Sequence, residues 1–306
     1  MQIIDIHTHL GDILNPDGGD LIWKAGVTKQ ILFDIISYSE FMRHAKVSKT
    51  WDDWFYHSVY SLVTKASRAR NATATLENMR RSMDRTGIAF CACMPIPPYL
   101  TFADLKKARE KEPRIIPFTG VDFSGRGDWE ADLRKDVVNG ARGLKLHPII
   151  QRRPLDGPQM FAAVEAFAVH RLPVLFHCGT SSYYLGPEQQ TRETPAFGAI
   201  ADAAALVAAF PRVTFIAGHA GLFDYREAIA RLSPFKNVLV DTSFHSAGSV
   251  RELLRAFGPD RVMYGSDWPY GNHLPALRIV RRACKGDASL ERRIFYENAA
   301  KLLNCC

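Results

Sequence analysis

From residue 72 onward the chain alternates between two hydrophobic periods. Short continuous apolar runs are each followed by a longer stretch with apolar positions three and four apart. The first kind reads as strands buried on both faces, the second as amphipathic helices. Strands are predicted at 3–6, 88–94, 115–121, 143–146, 174–176, 213–217, 238–240 and 262–264. Helices are predicted at 72–86, 102–112, 129–138, 158–170, 196–210, 225–232, 249–257, 275–284 and 290–303. Gly87, Pro113, Gly140, Pro211 and Gly258-Pro259 stand where helices should stop. Eight strands, each followed by helix, predict an α/β fold. A (β/α)8 TIM barrel suits the count better than a doubly wound sheet.

Residues 10–71 break this rhythm, separating the first strand from its expected helix. Residues 12–20 are rich in Asp, Asn, Gly and Pro, which is turn chemistry. Helices are predicted at 31–44 and 51–66. An insertion of this length after a barrel strand is usually functional or oligomeric. With Trp23, Trp51 and Trp54 it can cap the barrel mouth. The other reading is a packing element or a homo-oligomer contact. Residues 1–306 are expected to form one domain carrying this insertion.

Composition narrows the class. A hydrophobic fraction of 47% is ordinary for a chain with a packed core. No apolar run reaches the roughly 18 residues of a membrane span, and no basic and apolar leader precedes Ile3. No membrane association and a cytoplasmic location are therefore expected. The net charge is +7, but Lys and Arg are scattered. That favours a small anionic substrate over nucleic acid. Cys91 and Cys93 lack zinc-type spacing and read as buried thiols, and Cys305-Cys306 fits no prenylation pattern.

The candidate chemistry lies at the ends of strands. His7 and His9 follow the first strand two residues apart, so both imidazoles can face one ion. With ten histidines in the chain, such a pair carries little weight by itself. Asp5 falls on the same face by alternation, as a partner of those ligands or a buried strand residue. His177 ends an apolar strand, where it can equally be a hydrogen-bonded core residue. His219 lies in Ala217-Gly218-His219-Ala220-Gly221, whose small residues leave room for close approach. Asp267 lies in Gly265-Ser266-Asp267-Trp268-Pro269, where a turn cap is the plain alternative. Catalytic residues of a barrel sit at these C-terminal strand ends, so together the five form one candidate site.

With these segments the chain resembles the amidohydrolase superfamily. Within it the likeness is to the amidohydrolase-2 branch, which includes aminocarboxymuconate-semialdehyde decarboxylase, resorcylate-type decarboxylases and lactone hydrolases. The matching segments are Asp5-Ile6-His7-Thr8-His9, Gly143-Leu144-Lys145-Leu146-His147-Pro148, Phe176-His177-Cys178-Gly179, Gly218-His219-Ala220-Gly221 and Tyr264-Gly265-Ser266-Asp267-Trp268-Pro269. The resemblance implies metal ligation by His7, His9, His177 and Asp267, with His219 as a catalytic histidine and Asp267 as a proton carrier. It implies a bridging role for Lys145 if that lysine is carboxylated; otherwise Lys145 holds a substrate carboxylate or pairs with an acid. One or two divalent ions are expected, zinc first, with manganese or iron(II) as alternatives.

His147, Arg192, His245 and His273 follow strands and are further candidates for substrate binding, Arg192 through its planar fork. Ordinary structural roles are the alternative for each. The leading expectation is a metal-dependent hydrolase acting on an amide, lactone or ester-like bond of a carboxylated molecule. The alternative is a non-oxidative decarboxylase of an aromatic or unsaturated acid. A non-catalytic metal-binding barrel is the third reading.

Overall fold

The computed structural model describes residues 1–45, 59–125 and 127–304. Its strands are β1 Ile4–Thr8, β2 Phe90–Cys93, β3 Ile115–Pro117, β4 Thr119–Gly120, β5 Leu144–Leu146, β6 Val174–His177, β7 Phe215–Gly218, β8 Val238–Asp241 and β9 Val262–Met263. Every paired neighbour is parallel, in the orders β1-β2-β3 and β4 through β9. β3 and β4 are two halves of one stave interrupted at Phe118. The Phe118 amide still bonds Cys93 O at 3.0 Å, and Thr119 N bonds Gly143 O at 2.8 Å. The seam between β9 and β1 closes through Ile6 N to Tyr264 O at 3.0 Å and Asp267 N to His7 O at 2.8 Å. A closed ring of eight parallel staves with helices between them is the expected TIM barrel.

Local chemistry sets the helices. Leu76–Thr86 starts where the Thr75 hydroxyl accepts from Asn78 N and ends at Gly87, which has φ 72°. The helix predicted from 72 begins later because residues 72–75 form a turn and cap. Phe102–Lys111 opens on a capping box between Thr101 and Asp104.

In the insertion, a 3-10 turn at Gly18–Trp23 is followed by helices Ile35–Ala45 and Tyr60–Asn71. The first helix starts later than the predicted 31 because Asp34 caps it, accepting from Ile36 N at 3.0 Å and Ser37 N at 3.1 Å. The start of the helix predicted from 51, with Trp51 and Trp54, lies outside the described residues.

The core has a layer inside the barrel and layers between barrel and helices. Ile4, Ile6, Leu175, Ile216 and Met263 pack together inside, with Ala299 and Leu303 of the last helix. β1 departs from simple alternation. Its register against β2 slips between Asp5 and Thr8. A bulge of this kind re-aims side chains at a barrel rim. Asp5 therefore does not share a face with His7, contrary to the sequence expectation. It meets His273 of the helix layer, Oδ2 to Nε2 at 3.4 Å, while His7 turns to Lys145 and Asp241 inside.

Candidate metal centre

His7 enters the barrel from the bulged end of β1. Its Nδ1 lies 2.9 Å from Asp241 Oδ2 and its Nε2 lies 3.0 Å from Lys145 Nζ. The ring needs Gly218: a Cβ there would meet His7 Cε1 at 3.1 Å and Phe176 O at 2.9 Å. His9 donates Nδ1–H to Met94 O at 2.9 Å, leaving Nε2 to face Asp267 Oδ1 at 3.3 Å. The same Oδ1 lies 3.5 Å from His7 Nε2, and Asp267 Oδ2 lies 3.9 Å from His219 Nε2. His219 and Asp267 both adopt left-handed backbone, each with φ 57°. Such strain in non-glycine residues persists where surrounding structure enforces it, and it clusters at functional sites.

Two observations fit a cation at this point. Asp267 Oδ1 is buried without a hydrogen-bond partner, although two imidazole nitrogens face it. Among the described residues, His7, His9 and Asp267 bring one donor atom each within 4.8 Å of one another, and so do His7, His219 and Asp241. The second group is already occupied by its own hydrogen bonds, since Asp241 Oδ2 accepts from His219 N at 3.0 Å and pairs with His7 Nδ1. In the first group Asp267 Oδ1 has no partner, while His7 Nε2 lies 3.0 Å from Lys145 Nζ. Imidazole and carboxylate donors suit zinc, manganese or iron(II).

Burial sets the electrostatics. It pushes His7, His9 and His219 well below the ordinary histidine range, with Lys145 and neighbouring histidines adding to the effect. All three are neutral near pH 7, the form that binds metal. Burial also raises Asp267 well above the carboxylate range, only partly opposed by Lys145. A cation at the site reverses that preference by favouring the carboxylate. Lys145 is lowered to about 8 by burial, against the pull of Asp267 and Asp241.

His177 and His147 lie alongside this cluster, not within it. Their rings stack at 4.3 Å, and the His177 and His219 rings are 5.2 Å apart. His177 Nε2 is 3.0 Å from Gly179 O and 3.2 Å from Ser181 Oγ, while its buried Nδ1 has no partner. His147 Nε2 meets Tyr183 OH at 3.1 Å. A cavity opens above, floored by His177, His219 and Asp267 and walled by Tyr183, Phe244 and Tyr270. Ile35, Ile36, Ser39, Val63 and Ser67 of the insertion also line it.

Three expected substrate contacts sit elsewhere, each claimed by a structural partner. Arg192 donates to Leu14 O and, at 3.2 Å, to Asn15 Oδ1, with its guanidinium 4.4 Å over the Tyr184 ring. It clamps the 12–15 turn. His245 meets the His219 carbonyl at 2.6 Å and supports that residue from behind. His273 is buried between Ser82 Oγ at 2.8 Å and Asp5. None of the three lines the cavity.

Sequence reasoning missed Asp241. Its carboxylate receives His7, the His219 amide and both the amide and hydroxyl of Ser243. The available signal was the same one used for the others, a polar residue ending a buried strand. It also missed Arg70, which joins both insertion helices to the loop that follows Asp267.

The family model described as Amidohydrolase (Amidohydro_2) matches residues 4–305. The chain belongs to this family. No curated protein is similar enough to count as a relative. Among solved structures, 5-carboxyvanillate decarboxylase from Sphingomonas paucimobilis aligns with TM-score 0.64 and 15% identity, over 100% of this chain and 99% of the other. The 5-carboxyvanillate decarboxylase of Novosphingobium aromaticivorans, complexed with manganese and 4-hydroxy-3-methoxy-5-nitrobenzoic acid, gives 0.63 and 17% over 99% and 96%. A putative 2-pyrone-4,6-dicarboxylic acid hydrolase from Pseudomonas putida gives 0.59 and 18% over 99% and 97%. At these identities the likeness is one of fold. Among the described residues no helix is long and apolar enough to cross a membrane.

Proposed function

We propose that this amidohydrolase-family chain is a metal-dependent, non-oxidative decarboxylase of a small aromatic or unsaturated carboxylic acid. The observation that carries the reading is the cavity, with Asp267, His219 and His177 beneath an apolar wall of Ile35, Ile36, Val63 and Phe244. Such a site exchanges the water around a substrate carboxylate for fixed protein groups, and the product CO2 is neutral and apolar. Two of the structural neighbours described above are named as decarboxylases. This order reverses the expectation from sequence, which put hydrolysis first.

The proposed ligands are His7, His9 and Asp267, with His177 supplying a further nitrogen. A divalent ion held by them would supply Lewis-acid chemistry for a bound carboxylate. Manganese comes before zinc, because the Novosphingobium neighbour was crystallised with it. His219 Nε2 takes up a proton from solvent as substrate binds and gives it to the carbon bearing the carboxylate. The bond from that carbon to the carboxylate then breaks, its electron pair restores the double bond, and CO2 leaves. Lys145 steadies the site by donating to His7 Nε2, or would help hold two ions if carboxylated. Metal content per chain with and without bicarbonate separates these two roles.

A second reading, hydrolysis of a lactone or amide, is favoured by the Pseudomonas putida neighbour and by Asp267, which lines the cavity with an unpartnered carboxylate oxygen. The test is manganese- or zinc-loaded protein assayed against hydroxybenzoates and unsaturated acids for CO2, and against lactones and amides for ring opening or amine release. Decarboxylation lost in His219→Asn supports the proposal. Hydrolysis without CO2 release overturns it in favour of the second reading.

A further inference from the structure

The partners around Asp241 leave one consistent assignment of the imidazole hydrogens. The Asp241 carboxylate can only accept while ionised. His7 Nδ1, 2.9 Å from Oδ2, therefore carries the proton. Independent support comes from the other side of the ring, where Lys145 Nζ lies 3.0 Å from His7 Nε2, which must accept. Ser243 spends its hydroxyl hydrogen on Asp241 Oδ1. Its oxygen can then only accept from His219 Nδ1 at 2.7 Å. His219 is thus also protonated on Nδ1. His9 has the same form through Met94 O.

We propose that Asp241 is the positioning residue that sets the tautomers of His7 and His219, directly in the first and through Ser243 in the second. His219 then presents a bare Nε2 on the Asp267 side, and His7 presents an Nε2 lone pair there that Lys145 Nζ already approaches at 3.0 Å. The carboxylate's four acceptor sites are filled by His7, His219 N and the two Ser243 donors. It is a fixed template, not a spare ligand. One consequence is that resting His219 is a proton acceptor on its cavity side. It becomes a donor only after taking up a proton. The tautomers rest on geometry alone, whereas this consequence for turnover rests on the proposed function.

The decisive variant is Ser243→Ala, which removes the link to His219 and leaves His7 on Asp241. In full-length chain labelled with 15N-histidine, long-range 1H–15N spectra read each tautomer with and without manganese. Wild type should show Nδ1–H for both residues. Ser243→Ala should leave His7 unchanged, mix the His219 tautomers and lower kcat about 10- to 100-fold, with KM and metal content within twofold. Asp241→Asn should disturb both rings and weaken metal binding; if that variant fails to fold, Ser243→Ala still decides. Nε2–H on His219 in wild type overturns the proposal, as does unchanged Nδ1–H and unchanged kcat in Ser243→Ala. Correct tautomers in a protein that neither decarboxylates nor hydrolyses would sink the proposed function and leave this inference standing.

Discussion

Arg70→Met tests whether the insertion is anchored as the hydrogen bonds indicate. Arg70 is 2% exposed. Its Nε donates to Asp34 Oδ2 at 2.9 Å, and its two terminal nitrogens donate to Tyr270 O at 2.6 Å and Ser37 Oγ at 2.8 Å. Both also reach Glu40, at 3.4 and 3.3 Å. Removing one side of a buried ion pair costs about 3–5 kcal/mol, because the partner charge stays buried. The lower end applies here. Glu40 keeps Asn272 N at 2.7 Å and Asn272 Nδ2 at 2.6 Å, and Asp34 keeps Lys29 and two backbone amides. Urea unfolding should therefore show Arg70→Met destabilised by about 3 kcal/mol. Arg70→Lys should recover only part, since an ammonium cannot span the fork of acceptors.

The pH dependence has a definite sign. Burial pushes the Asp34 carboxyl up, but Arg70 and Lys29 outweigh it and hold it at about 2. A folded-state value below the unfolded one contributes stability that is complete above about pH 4 and lost as pH falls toward about 2. Wild type should lose this component over that interval, and Arg70→Met should show a shallower slope. Destabilisation under about 1 kcal/mol with an unchanged acid slope would refute the anchoring role.

Asp267→Asn should abolish activity and weaken divalent-metal binding at least ~100-fold by calorimetry, without lowering the stability of metal-free protein, because an amide replaces a buried unpartnered carboxylate. Chelation of metal-loaded wild type should lower stability by about 2.7 kcal/mol relative to free metal at a hundred times Kd, read as a drop in Tm that metal restores. Gly218→Ala places a methyl group against His7 and Phe176 O, so metal affinity should fall while circular dichroism is retained. Arg192→Met should change KM less than about twofold and lower stability by about 1–2 kcal/mol in urea unfolding, since its contacts include Leu14 O, Asn15, Glu188, Tyr99 and Tyr184; a tenfold rise in KM would return Arg192 to the substrate.

The sequence by itself determined the barrel and the sites along it where chemistry could collect. Continuous apolar runs must be buried on both faces, and a ring of eight parallel strands under helices suits their number and alternation better than a doubly wound sheet. His7, His9, His219 and Asp267 were legible because each follows such a run, and the barrel gathers strand ends. Which strand-end residues face the cavity was decided by tertiary structure. Alternation placed the Asp5 and His7 side chains on one face, but with the slipped register of β1 they turn to different partners, although the His7 amide still donates to Asp5 Oδ1 at 3.1 Å. His245 and His273 follow strands as His219 does, yet one meets the His219 carbonyl and the other lies between Ser82 and Asp5. Asp241 was in view as a strand residue, but its role exists only where His7, His219 and Ser243 converge across three staves. Period and burial are local and can be read along the chain. Hydrogen bonds between residues two hundred or more positions apart, such as His7 to Asp241 and Arg70 to Tyr270, exist only once the ring has closed.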